Sequence, residues 1–110
     1  MSLKSIRRLT RQFESGDHSP VHALRNMLDR MSQPETKSLN AFNYTVAEED
    51  ALTLAEQSEQ RYKNGKQLSS IDGVPITFKD NYLVKDMPST AGSKILKDFI
   101  PPIDSTLARR

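Results

Sequence analysis

Gly73-Val74-Pro75-Ile76-Thr77-Phe78-Lys79-Asp80-Asn81 is the stretch whose reading decides the fold. A short apolar run led by glycine predicts a buried strand. Pro75 offers no N–H to a ladder, so it belongs near the start of such a strand, and it stands there. The run ends in a lysine followed by two polar residues. Burying an ammonium disfavours its charged form and lowers its pKa. A neutral lysine amine can then act as a general base near neutral pH. The plainer reading is a surface lysine that snorkels into water beyond the strand. Spacing alone leaves both readings of Lys79 open.

Working outward, residues 79–92 show no sustained periodicity, and Pro88, Ser89, Thr90 and Gly92 predict a loop. Residues 93–99 allow one or two helical turns, which Pro101 and Pro102 break. Asp104 is placed to cap a last helix over 105–110. That helix has only begun at Arg110, so the carboxy-terminus reads as a cut. On the other side, 66–72 is polar and turn-like. Phe42, Tyr44 and Val46 alternate with Asn43 and Thr45, which predicts a strand over 41–46. Glu48, Glu49 and Asp50 then favour a helix start, where the dipole stabilises negative charge. Ala51, Leu54, Ala55, Ser58 and Tyr62 share one face of that helix, and Gly65 ends it after Asn64.

Residues 32–38, with Pro34, read as a loop. Before it, Leu3, Ile6, Leu9 and Phe13 recur at helical spacing, giving a helix over 2–15 stopped by Gly16. Ser19-Pro20 opens a second helix to about Met31, with Val21, Leu24, Met27, Leu28 and Met31 on its apolar stripe. The organisation expected is a helical hairpin over 1–33 and the start of an α/β core over 39–110, within a single domain. Its sheet is mixed and incomplete, with two strands supplied here.

The apolar residues make up 35% of the 110, against ~45–50% in ordinary domains on a similar count. The chain is short of core material, so it packs loosely or its apolar faces meet further chain. Sixteen basic and fourteen acidic residues are interspersed, for a formal charge of +2. That gives no basic stripe of the kind a nucleic-acid groove needs. The basic cluster of the first helix is spread around its surface as a solvated face. Without cysteine, disulfides and thiolate metal sites are excluded. His18 and His22 are four apart, but no third ligand accompanies them, and they read as solvent-facing. No run approaches the ~20 apolar residues needed to cross a bilayer, so no membrane association is expected. The basic, serine-containing stretch to Phe13 suits a mitochondrial transit peptide and an ordinary surface helix equally.

The stretch 73–81 closely resembles the amidase-signature family's strand, which reads Gly, Val or Ile, Pro-Ile, two variable positions, then Lys-Asp-Asn. The likeness extends to Leu39-Asn40-Ala41-Phe42, Thr45 to Asp50, Ser89-Thr90-Ala91-Gly92-Ser93, and Phe99 to Thr106. The resemblance implies a Ser–cis-Ser–Lys triad that hydrolyses amides or transfers their nitrogen. In it, Lys79 matches the triad lysine, the base that relays a proton through the middle serine to the nucleophile. Both serines lie downstream in the family, in a glycine- and serine-rich region that this chain does not contain. Ser89 and Ser93 do not match them, and Asp80 and Asn81 shape the loop around Lys79. The resemblance assigns no substrate-binding residue, metal or cofactor to this chain, and implies that the stretch is inactive alone.

Leu39-Asn40-Ala41-Phe42, Arg61-Tyr62-Lys63-Asn64-Gly65 and Phe99-Ile100-Pro101-Pro102 look most like the branch formed by the amidase subunits of glutamyl-tRNA(Gln) amidotransferases, and Arg61 to Gly65 looks especially like its mitochondrial members. Ile103, where an aromatic is common, and Ser89-Thr90, in place of Thr-Thr, depart from that branch. Membership would imply glutamine as ammonia donor and partner subunits that use ATP and Mg2+. Contact with tRNA would be indirect, through the complex. The location would be the mitochondrial matrix, or the cytoplasm in a bacterium. Two other readings are a fragment of an amidase-signature hydrolase acting on fatty acid amides or small amides, and a short non-catalytic interaction protein.

Overall fold

The computed structural model describes residues 5–110. These fall into two compact units. One holds the described residues to Ala41 together with Ala47–Pro75; the other holds Phe42–Val46 and Ile76–Arg110.

The first unit is helical. Helix α1 spans Ile6–Ser15; the part of the expected helix that involves Ser2 to Lys4 lies outside the described residues. Ser5 starts it, its Oγ accepting from Arg8 N at 3.2 Å. Gly16 ends it at φ 77°, its N–H donating to the Phe13 carbonyl. Helix α2 spans Pro20–Ser32, with Ser19 Oγ accepting from His22 N at 3.2 Å and Pro20 in the first turn. The expected 32–38 loop instead contains a short helix, α3, over Pro34–Ser38. The reason is local: Pro34 sits where its missing N–H is an orphan anyway, Glu35 faces the positive end and Lys37 the negative one.

Helix α4, Glu48–Lys63, has no side-chain cap at Ala47. Three acids in its first turn and Arg61 and Lys63 in its last complement the dipole instead. It is the element on which both α1 and α2 pack. Phe13, Leu24 and Ala55 are the buried apolar side chains, and Phe13 meets the Tyr62 ring edge-on at 5.5 Å. Leu54, counted with the inner face from its spacing, is 62% exposed. It lies at the flank of the stripe that Ala51, Ala55, Ser58 and Tyr62 define.

In the second unit the regular elements are a 3₁₀ turn, Lys94–Leu96, and α5, Thr106–Arg109. Backbone bonds tie the rest: Ser89 N donates to Phe99 O at 3.1 Å, Asp86 N to Pro101 O at 3.2 Å, and Ser105 N to Leu83 O at 2.7 Å. Pro101 is fully buried. The α5 cap is Ser105, whose Oγ accepts from Ala108 N. Asp104, expected there, instead accepts from Lys85 N at 2.7 Å.

Among the described residues no strand forms, so 41–46 and 73–78 lack the ladders their patterns predict. A strand is a pairing, and alternation sets only which side chains share a face, not which backbone answers it. Ile76 is 57% and Ile95 92% exposed, with Ile100, Ile103 and Leu107 also largely in water. The shortage of core read from composition thus takes the form of unburied apolar side chains.

Candidate functional site

The motif is set up at its first residue. Gly73 has φ 77°, and a Cβ there would stand 2.5 Å from Ser58 Oγ and 2.8 Å from Pro20 Cγ. Glycine is required on both counts. Next to it, Asp72 is the acceptor of a dense network. Arg61 donates to it through Nε and Nη2, each at 2.7 Å; Ser58 Oγ donates at 2.9 Å and Leu68 N at 3.1 Å. Tyr62 OH donates to the Asp72 carbonyl at 3.0 Å. The Arg61 guanidinium, then the Leu68 N–H and Ser58 hydroxyl, outweigh burial and hold the Asp72 carboxyl at about 2, below its ordinary 3.8. Burial of the Tyr62 phenol pushes its pKa up. This explains chemically why Arg61, Tyr62 and Gly65 belong together in one motif: the first two grip Asp72, and Gly65 turns the chain at φ 62°.

Further along, the end of the motif forms a second network, centred on Asp80. Its Oδ1 accepts from Thr90 N at 2.8 Å. Its Oδ2 accepts from Asn43 Nδ2 at 2.9 Å and from the Thr90 hydroxyl. Its carbonyl accepts from Ala91 N at 2.7 Å. Thr90 Oγ1 in turn accepts from Gly92 N at 3.1 Å. The Thr90 hydroxyl and amide, with Asn43, hold the Asp80 carboxyl below the usual carboxylate range.

Lys79 stands one residue before this network, in a turn closed by Tyr82 N donating to Lys79 O at 3.0 Å. Its side chain is exposed, as is Asn81. Of the two readings open from spacing, the exposed lysine is the one seen here, where the run has no neighbouring strands among the described residues. Ser89 is buried, with its N–H donating to Phe99 O, and Ser93 Oγ accepts from Ile95 N to start the 3₁₀ turn.

His18 and His22 lie with ring centroids 4.5 Å apart, and His18 stacks on buried Phe13 at 6.4 Å. His18 is thus half-buried rather than solvent-facing. Among the described residues no three His, Cys, Asp or Glu side chains are grouped to hold a metal, and no helix is long and apolar enough to cross a membrane.

The roles of Asn43, Thr90, Ser58 and Asp72 in these networks do not emerge from the sequence reading. Ser58 carries a signal: it is a polar residue on the inner stripe of α4, where a buried hydroxyl needs a partner. Asn43, on the polar side of the alternating 41–46 pattern, and Thr90, in the loop segment 89–93, show no sign in the sequence that Asp80 is their shared partner.

Residues 22–110 match the model of the amidase family. Over 107 residues, 97% of its length, the chain is 38% identical to the human A-type subunit of mitochondrial glutamyl-tRNA(Gln) amidotransferase, covering 20% of that protein. It is 36% identical to the mouse protein of the same name over the same shares. It is 39% identical over 108 residues, 98% of its length, to the A-type subunit of the glutamyl-tRNA(Gln) amidotransferase of a Cyanothece strain, covering 22% of it. The chain spans about a fifth of the length of the relatives it matches.

Proposed function

The chain belongs to the amidase family, and from that premise we propose that it is the amino-terminal part of the amidase subunit of a glutamyl-tRNA(Gln) amidotransferase. The observation that carries this reading is the likeness to subunits of that name along nearly all of the chain, with the 73–81 motif inside it. The subunit hydrolyses glutamine and passes ammonia to a partner subunit that converts Glu-tRNA(Gln) to Gln-tRNA(Gln).

Lys79 is the triad base in this proposal. A serine hydroxyl is a weak nucleophile until a base takes its proton. Lys79 takes that proton through a second serine, and the nucleophile attacks the glutamine side-chain amide and releases ammonia. Neither serine belongs to residues 1–110, so this stretch by itself is inactive. In the complete subunit, 41–46 and 73–78 become strands of a mixed α/β sheet, residues 1–110 form part of one amidase domain, and burial of the second strand desolvates Lys79. ATP and Mg2+ belong to the partner subunit, tRNA is met only through the complex, and the site of action is the mitochondrial matrix, or the cytoplasm in a bacterium; the human and mouse relatives carry the word mitochondrial in their names and the Cyanothece relative does not.

The test is an exchange of parts. Residues 22–110 replace the matching segment of the human relative, and glutamine hydrolysis and Gln-tRNA(Gln) formation are measured in the assembled complex. Retention of both activities within about tenfold supports the proposal. A soluble, assembled chimera that hydrolyses other amides but not glutamine would overturn it in favour of a different amidase.

A further inference from the structure

The geometry points to Asp80 as a positioning residue for Lys79: its carboxylate latches Asn43 and Thr90 onto the turn that carries the lysine. This inference rests on the amidase role proposed for Lys79.

Three groups converge on the two carboxylate oxygens of Asp80, and all three are donors: Thr90 N, the Thr90 hydroxyl and Asn43 Nδ2. An acceptor-only side chain is therefore demanded, and a carboxylate is one while an amide is not. The Thr90 hydroxyl is itself oriented, because it accepts from Gly92 N while donating to Asp80. Ala91, between them, is held at φ 49°, a conformation that an alanine keeps only where surrounding bonds over-determine it. Its own N–H donates to the Asp80 carbonyl.

The consequence reaches Lys79 through the backbone. The Lys79 carbonyl is bound by Tyr82 N at 3.0 Å and the Asp80 carbonyl by Ala91 N at 2.7 Å, so the peptide groups following both residues are fixed. A lysine base on a long flexible stem gains most from such a fixed root. Misplacement by ~1 Å at a reacting centre costs about 10²-fold in rate. Asp80 touches no reacting atom in this scheme; it acts on the frame from which Lys79 works.

The experiment uses the full-length subunit in its complex, with Asp80→Asn, Asn43→Asp, the Asp80→Asn/Asn43→Asp pair and Thr90→Val, read by glutamine hydrolysis. Asp80→Asn is expected to lower kcat by about 10²-fold with KM for glutamine nearly unchanged, since it sets an amide donor against Asn43. The pair restores a donor–acceptor match with the roles reversed, and is expected to recover kcat by at least ~10-fold over Asp80→Asn alone. Thr90→Val, which keeps the Thr90 N–H bond, is expected to lose about tenfold. Unchanged kcat in Asp80→Asn, or a pair no better than the single variant, overturns the latch. If Asp80→Asn does not fold, Thr90→Val decides: wild-type kcat overturns the latch, and a loss in kcat alone supports it. An assembled wild-type enzyme that does not hydrolyse glutamine overturns the amidotransferase reading instead, and the role of Asp80 falls with it.

Discussion

Arg61 grips Asp72 with two parallel hydrogen bonds, Nε to Oδ2 and Nη2 to Oδ1, both 2.7 Å long. The Asp72 side chain is 4% exposed and the Arg61 side chain 26%. Removing the guanidinium leaves a buried carboxylate without its counter-charge, which costs about 3–5 kcal/mol in comparable pairs. Arg61 keeps a quarter of its surface in water, so the expected loss for Arg61→Met is at the low end, about 3 kcal/mol. Urea denaturation at neutral pH measures it. A loss under roughly 0.5 kcal/mol, the usual scale of surface changes, would show that the pair does not hold α4 to the segment before Gly73.

The same pair sets a pH dependence. The folded-state carboxyl of Asp72 titrates at about 2 and its ordinary value is 3.8, so the unfolded chain binds the proton more readily. The resulting stabilisation is complete above pH 3.8 and is lost as pH falls through 3.8 towards 2, on the order of 2 kcal/mol in all. Glu59 and Asp80 are also held low, by Lys63 and by Thr90. The informative quantity is therefore the difference between wild type and Asp72→Asn across pH 5 to 2, which should narrow as pH falls. A constant difference would mean that Asp72 stabilises by shape alone.

Gly73 and Gly16 share φ 77° but not surroundings. A methyl at Gly16 meets nothing within 4 Å, whereas one at Gly73 runs into Ser58 Oγ and Pro20. Gly16→Ala should therefore show only the left-handed backbone cost, about 1–2 kcal/mol. Gly73→Ala should add an overpacking cost of about 1–3 kcal/mol. Chemical denaturation of both variants gives the comparison, and equal losses would contradict the close packing at Gly73.

How much of this was legible follows from how local each signal is. The ends of α1, α2 and α4 were readable because caps, prolines and glycines act within one turn: Gly16, Ser19-Pro20 and the acids 48–50 all stand where expected. The strand patterns at 41–46 and 73–78 were readable as alternation and apolar run, yet no ladder forms among the described residues, because pairing depends on residues distant in sequence. Asp104 and Ser105 are both good caps, and only the tertiary bond from Lys85 N diverts Asp104 from that role. The motif marked out Gly73 and Asp80 only as members of one segment. It could not show that their partners are Pro20 and Ser58 in one case, Asn43 and Thr90 in the other, since those contacts span between 10 and 53 positions of sequence.

Residues 1–110, purified alone, should release no ammonia from glutamine, because a triad base with no nucleophile beside it has nothing to activate. Sensitive ammonia detection against a buffer blank is sufficient. Turnover by this stretch that disappears in Lys79→Ala would mean that it carries a nucleophile of its own.

The role of Lys79 is tested most directly by glutamine hydrolysis in the full-length complex, comparing Lys79→Ala with Lys85→Ala. Both side chains are exposed in this structure, and Lys85 contributes a backbone N–H to Asp104 that alanine keeps. The expected result is a fall in kcat of at least ~10³-fold for Lys79→Ala, with Lys85→Ala close to wild type. Comparable activity in the two variants would contradict the assignment of Lys79 as the base.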